Sequence, residues 1–188
     1  MQITESEIPT ITQETILETL SHTKANKASG PDNIGSKLLK MARYELIDIF
    51  HYFFNISLKN CFIPQQWKIA DIVPIPKVPR PKTEKEYRPV CLTSVVCKTL
   101  EKIISKMILN MTKDVWKENK QYGFLPNRST TDALIQVIED WSEAVDKKLN
   151  IHAVFYDFSN AFDLVQHELL LKKLEKYLPN WLIKWLAH

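Results

Sequence analysis

Residues 150–168 hold the side chains best placed to do chemistry. Ile151 to Tyr156 is a short run rich in apolar and aromatic residues, which predicts a largely buried strand. The run stops on Asp157. A carboxylate at the end of a buried strand is costly unless it is hydrogen-bonded, paired or bound to a metal. Hard cations such as Mg²⁺ prefer carboxylate oxygen, and a phosphoryl-transfer centre uses this ligand type at the mouth of a sheet. The plainer reading is that Asp157 or Ser159 caps the helix that follows, because both types are preferred caps. From spacing alone the cap is the better account.

Charge that a phosphate would meet gathers in two other places. Between Lys77 and Arg88 stand five cations (Lys77, Arg80, Lys82, Lys85, Arg88) against Glu84 and Glu86, a net +3 within twelve residues. The whole chain also carries +3, so the remainder is balanced, and the total alone is too small to argue for nucleic acid. A cationic hairpin tip is most often only solvated, which is the safer reading for Arg80, Lys82 and Lys85. Further on, Ser129 and Asp132 form a capping pair that starts a helix with Arg128 beside it. Exposed amides and a positive dipole end suit a phosphate there.

The elements that must position these groups follow from periodicity. Thr10–Thr23 predicts a short amphipathic helix with Ile16, Leu17 and Leu20 inward and Thr10 with Gln13 as its capping box. Gly30-Pro31-Asp32 predicts a turn. Ser36–Asn60 predicts one long helix, with Leu39, Ala42, Leu46, Ile49, Phe50, Phe53 and Ile56 on one face, broken at Cys61-Phe62-Ile63-Pro64. Trp67–Lys77 reads as a strand, with Pro74 and Pro76 confining it to an edge or one arm of a hairpin, and Pro89–Leu92 as its return. Helices follow over Thr93–Thr112 (Val96, Leu100, Ile103, Ile104, Met107, Met111), from Ser129 through Val145, over Glu168–Tyr177, and from Pro179 through Trp181 and Trp185.

Four stretches, in order, carry a resemblance. Tyr156-Asp-Phe-Ser-Asn-Ala-Phe-Asp163 resembles motif A of reverse transcriptases, in the form found in LINE-type (non-LTR) retrotransposons. Lys27-Ala-Ser-Gly-Pro-Asp-Asn-Ile34 is similar to the opening of those polymerase domains, with Ser29 where Pro and Asn33 where Gly are usual. Ile75-Pro-Lys77, with Tyr87-Arg-Pro-Val-Cys-Leu92 and the helix after it, is similar to the fingers hairpin and its following helix. Gln121-Tyr-Gly-Phe, with Arg128-Ser-Thr130, is similar to the block that runs along the template strand.

The resemblance implies an α+β fold, the fingers and partial palm of a right-hand polymerase, mostly helical with a short antiparallel hairpin and a palm strand. Residues 8–149 would be fingers and fingers-palm helices, and 150–188 the start of the palm with motif A. It implies that Asp157 is catalytic and holds Mg²⁺, with Mn²⁺ as an alternative; Asp163 belongs to the same pattern and is expected to have a structural or capping role. Lys77 and Arg88 would grip the β- and γ-phosphates of a deoxynucleoside triphosphate, with Phe162 as the steric gate against a 2′-hydroxyl. Gly123 and Arg128 would lie on the template. Partners would be an RNA template, a DNA primer, dNTPs, and the remaining palm and thumb of the polymerase. No Asp-Asp dipeptide occurs in the 188 residues, so the second catalytic acid motif of the family is lacking here. The expectation is a segment inactive by itself, or a remnant that at most binds nucleic acid. Without the neighbouring strands, apolar surface around Trp181 and Trp185 is expected to lie uncovered.

Composition narrows the class. Hydrophobic content of 45% with 25% charged residues fits an ordinary globular domain, and three glycines (Gly30, Gly35, Gly123) exclude a Gly-rich phosphate loop. Cys61, Cys91 and Cys97 form an odd set with no Cys-x-x-Cys, which argues against a disulfide framework or zinc site. A reducing intracellular compartment, nuclear or cytoplasmic, fits that usage, with no secretory signal and no membrane span. Cys97 is expected to be an inert packed thiol.

Overall fold

The computed structural model describes residues 8–117, 120–159 and 161–188, the side chains of 116 and 117 excepted. Among the described residues, seven helices and two strands follow in the order α1 (Gln13–Ser21), α2 (Ser36–Met41), α3 (Ile47–Lys59), β1 (Ala70–Pro76), β2 (Tyr87–Thr93), α4 (Val95–Lys117), α5 (Thr130–Asp146), α6 (His167–Leu174) and α7 (Asn180–Leu186), with 3-10 turns at Gln65–Lys68 and Glu84–Glu86. The chain divides into two compact units, Met1–Met111 with Leu171–His188, and Thr112–Leu170.

The first unit holds the core. Ile16 and Leu20 of α1, Phe50, Phe54 and Leu58 of α3, Leu100, Ile103 and Ile104 of α4, and Trp181, Leu182 and Trp185 of α7 form one buried cluster. Asn55 ties the chain entry to α3 in both directions. Its Oδ1 accepts from the Ile11 amide at 2.8 Å and its Nδ2 donates to the Ile11 carbonyl at 2.9 Å. The N-cap of α1 is Thr12, whose hydroxyl accepts from the Thr15 amide, so the expected Thr10–Gln13 box lies two residues too early.

The long helix expected over Ser36–Asn60 is two helices. Arg43 Nη1 donates to the Lys40 carbonyl at 2.7 Å, a carbonyl near the end of α2 that an unbroken helix would have used for its own ladder. The buried face also differs. Ile47, Phe50, Phe54 and Leu58 point inward, while Ile49, Phe53 and Ile56 are exposed. Both sets recur at helical spacing, and packing against α1 and α7 selects between them. The expectation that Trp181 and Trp185 would be uncovered is overturned. They are 1% and 4% exposed, Trp185 Nε1 donates to Ser57 Oγ at 3.1 Å, and the Cys61 thiol donates to the Trp181 carbonyl at 3.4 Å. Helix α7 finds its partner in α3.

The hairpin forms as expected, with β1 beginning after a 3-10 turn that takes up Trp67. Its base is set by Gly30. A Cβ there would stand 2.5 Å from the Thr93 carbonyl carbon, so only glycine lets the Gly30-Pro31-Asp32 turn lie against the end of β2. The turn closes with the Asn33 amide donating to the Gly30 carbonyl, and Asn33 takes a φ of 55°, a left-handed conformation that Asn tolerates and Gly adopts freely.

In the second unit, α5 begins with the expected Ser129–Asp132 box. Its apolar stripe stays exposed, and α5 buries no residue. The strand expected over Ile151–Tyr156 is absent. The segment is irregular, and Val154, Phe155 and Tyr156 are 69%, 87% and 85% exposed. A strand needs a neighbour for its amides and carbonyls, and among the described residues β1 and β2 pair only with each other. The α+β class stands, therefore, without a palm strand.

Candidate nucleotide and template site

Lys77 and Arg88 belong to the first unit, on the hairpin. Strands β1 and β2 pair as Val73↔Val90, Pro74↔Pro89 and Ile75↔Arg88, and the Lys77 amide donates to the Glu86 carbonyl at 2.7 Å, continuing the ladder one more pair. Hydrogen-bonded and non-bonded pairs alternate in an antiparallel ribbon, so Lys77–Glu86 fixes Ile75–Arg88 as bonded and Pro74–Pro89 as non-bonded. Pro74 and Pro89, and with them Pro76, thus sit where an amide would point away from the partner strand. They fit the ribbon and leave its outer edges short of donors. The period of two then puts Lys77 and Arg88 on one face of the ribbon, with Val73 and Val90. In this conformation Lys77 Nζ donates to the Lys85 carbonyl at 2.9 Å. The basic tip is shaped by Glu86, whose carboxylate accepts from the amides of Lys82 and Thr83 and closes a capping box around the 3-10 turn.

Gly123, Arg128, Asp157 and Phe162 belong to the second unit. Lys120 and Asp140 pair at 3.0 Å, and each holds the other's charge: the hydrogen bond that Lys120 donates to the Asp140 carboxylate raises the Lys120 pKa and lowers the Asp140 pKa. This pins the start of the Gln121–Asn127 loop to α5. Arg128 Nη1 donates to the Gln121 carbonyl at 3.3 Å, and its guanidinium lies 5.5 Å from the centroid of the Tyr122 ring. The loop folds tightly because Phe124 and Asn127 both take left-handed backbone (φ 64° and 58°). Gly123 does not, and a Cβ there would meet only Gln121 Nε2 at 3.6 Å. Its glycine is therefore not required by the loop's own geometry.

Asp157 lies exposed in the irregular segment after Tyr156. Phe162 is 76% exposed, and its ring meets Phe124 edge-on at 5.8 Å. The structure thus brings Phe162 against the neighbour of Gly123, a contact that no spacing in the sequence announces because the two lie far apart in the chain. Asn160, from the same octapeptide, is outside the described residues. Asp157 offers one hard-oxygen ligand of the right type for Mg²⁺. Among the described residues no three His, Cys, Asp or Glu side chains gather as a metal set, so the described residues do not by themselves build a two-ion centre. Among the same residues no helix is long and apolar enough to cross a membrane.

The three cysteines are unpaired, with Cys91 exposed and Cys97 buried. Burial, with the Glu101 carboxylate beside it, pushes the Cys97 thiol up to about 12, which fits the inert thiol expected.

A sequence profile described as reverse transcriptase (RNA-dependent DNA polymerase) matches residues 75–187. The chain is 32% identical over 178 residues to the probable RNA-directed DNA polymerase from transposon BS of Drosophila melanogaster, a match covering 92% of this chain and 19% of that protein. It is 30% identical over 167 residues to the probable RNA-directed DNA polymerase from transposon X-element of the same organism (87% of this chain, 18% of that protein). To the RNA-directed DNA polymerase from mobile element jockey, also of that organism, it is 28% identical over 172 residues (90% and 19%). The chain therefore spans about a fifth of the length of these curated relatives. With the profile covering more than half of its residues and the motifs falling in order, the chain belongs to the reverse transcriptase family, among its LINE-type retrotransposon members.

Proposed function

We propose that this chain supplies the fingers (residues 8–149) and the start of the palm (150–188) to an RNA-directed DNA polymerase that extends a DNA primer on an RNA template. The observation that carries the reading is the shared ribbon face of Lys77 and Arg88 in a chain of this family. Arg meets a phosphate with two parallel bonds and Lys adds a point charge, so the pair can hold the β- and γ-phosphates of a dNTP. The primer 3′-hydroxyl then attacks the α-phosphorus, the bond to the bridging oxygen breaks, and pyrophosphate leaves. Phe162 is the gate against a 2′-hydroxyl, and Gly123 with Arg128 tracks the template. Asp157 is one carboxylate ligand for a divalent ion, and the other acids come from elsewhere in the polymerase.

The test is primer extension by the polymerase that contains this chain. Asp157→Asn is expected to abolish incorporation, Arg88→Ala to raise KM for dNTP about tenfold or more, and Phe162→Val to admit ribonucleotides. Full incorporation by Asp157→Asn would sink the reading. A second reading, a module that binds nucleic acid without chemistry, is favoured by the isolated, exposed carboxylate of Asp157. Salt-sensitive RNA binding by this chain, abolished by Arg88→Ala and Arg128→Ala, with no extension by the polymerase that contains it, would select that reading.

A further inference from the structure

We propose that Lys27, Lys98 and Lys102 frame an oxyanion site that takes a phosphate group, apart from the Lys77–Arg88 ribbon. The loop Lys27-Ala-Ser-Gly lies along the first turns of α4 because Gly30 lets it approach the Thr93–Ser94 backbone. Between loop and helix is a pocket of about 40 Å³ lined by those three lysines and by Thr23, Ser36 and Thr99.

The floor is polar and already satisfied. Thr23, Ser36 and Thr99 are buried (5%, 1% and 3% exposed), and their hydroxyls donate to the carbonyls of Thr19, Ala25 and Val95. The remaining polar residues that line the pocket are the three lysines. None of the three has an acidic partner among the described residues. Glu101, next to Lys102 in the chain, accepts from the Cys97 thiol. Like charges converging without a counter-ion raise the energy of the empty pocket, and a bound anion relieves it. Burial first, and the Lys27 charge second, hold the Lys102 pKa below the usual lysine value, as that convergence requires. The first turn of α4 adds the positive end of a 23-residue helix.

The volume exceeds the roughly 10–15 Å³ that one water needs and leaves room for a tetrahedral oxyanion seated part-way in. Lysine is a point-charge donor with no planar fork, which fits a phosphate better than a carboxylate pair. The phosphate can belong to a nucleic-acid strand or be free in solution. Only the first source rests on the polymerase reading.

The experiment uses the 188-residue chain with two probes, inorganic phosphate followed by thermal shift and a short single-stranded RNA followed by fluorescence anisotropy. Lys98→Gln with Lys102→Gln is compared with Lys37→Gln with Lys68→Gln, which removes equal charge elsewhere. The pocket variant is expected to lose the phosphate-induced shift and to bind RNA about tenfold more weakly than the control. Its salt slope is expected to be shallower by about 0.7 for each phosphate it no longer neutralises. Lys98→Arg with Lys102→Arg keeps the charge and is expected to keep both effects. If the Gln pair fails to fold, Lys27→Gln, on the loop, replaces it. Loss of the phosphate shift alone, with RNA binding equal to the control, assigns the site to free phosphate. A wild-type chain that binds no RNA but keeps a pocket-dependent phosphate shift counts against the polymerase reading and not against this site. Equality of pocket variant and control in both assays overturns the proposal.

Discussion

Cys97 is 6% exposed on α4, and its thiol is pushed up to about 12 from an ordinary 9.0, first by burial and then by the Glu101 carboxylate. In the unfolded chain the same thiol ionises near its ordinary value. Below about pH 9 both states hold the proton and the stabilisation is complete; as the pH rises through 9 towards 12, only the unfolded state loses it, and stability falls. The expected slope is up to about 1.4 kcal/mol per pH unit in that window. Urea denaturation of wild type and Cys97→Ala on both sides of pH 9 checks it. Other groups titrate in both proteins, so the difference between the two curves isolates Cys97. Parallel curves would show that the thiol titrates freely in the fold. The same scale shows what a residue's identity conceals. Gly30 is legible as a turn, yet its reason is a 2.5 Å approach to Thr93, far along the chain. Lys27, Lys98 and Lys102 are not legible as a set, although Lys98 and Lys102 stand four apart on one helix face, because the third member arrives only through that approach.

Among the elements, what is local in the sequence is legible there. The Ser129–Asp132 box, the hairpin with its prolines and the Gly30 turn each depend on a few neighbouring residues, and each is present. What escapes the sequence depends on distant partners. Two apolar faces of α3 compete in the sequence, and α1 and α7 decide between them; Ile151–Tyr156 has strand composition but no strand beside it among the described residues. Helix ends show the same contrast. Both α3 and α5 stop in Schellman motifs: the Phe62 amide donates to the Ser57 carbonyl, and the Leu149 amide to the Ala144 carbonyl. The left-handed residues are Cys61 (φ 47°) and Lys148 (φ 55°), where glycine is usual, so neither stop carries its ordinary sequence mark. A side chain in that region costs about 1–2 kcal/mol. Lys148 is exposed, so Lys148→Gly is expected to stabilise the second unit by about 0.5–1 kcal/mol after the greater freedom of the unfolded glycine is subtracted. Hydrogen exchange of the α5 amides reads that unit directly, and faster exchange in the variant would refute the strain.

At the scale of the whole molecule, burial is unevenly shared. The described core cluster lies entirely in the first unit, while in the second α5 buries nothing and Val154, Phe155, Tyr156 and Phe158 are each more than two-thirds exposed. The second unit also has an open groove of about 390 Å³ lined by Ile138, Trp141, Val145 and Ile151. Apolar surface on this scale is the mark of a face that another element covers, and this chain spans about a fifth of its relatives. Among the described residues Ile151–Phe158 has no backbone-to-backbone hydrogen bond, so a protease meets no ladder it must first open. Brief chymotrypsin digestion is expected to cut first after Phe155, Tyr156 or Phe158, and to spare Phe54 and Trp181, which are 0% and 1% exposed. Intact-mass analysis of the earliest fragments identifies the bond. In a longer polymerase that contains this chain, as proposed above, the same bonds are expected to resist, because a segment covered by neighbours no longer enters a protease cleft. First cleavage within α1 to α4, or equal cleavage in the short and long chains, would place the weak region elsewhere and leave the exposed segment as the ordinary surface of a finished domain.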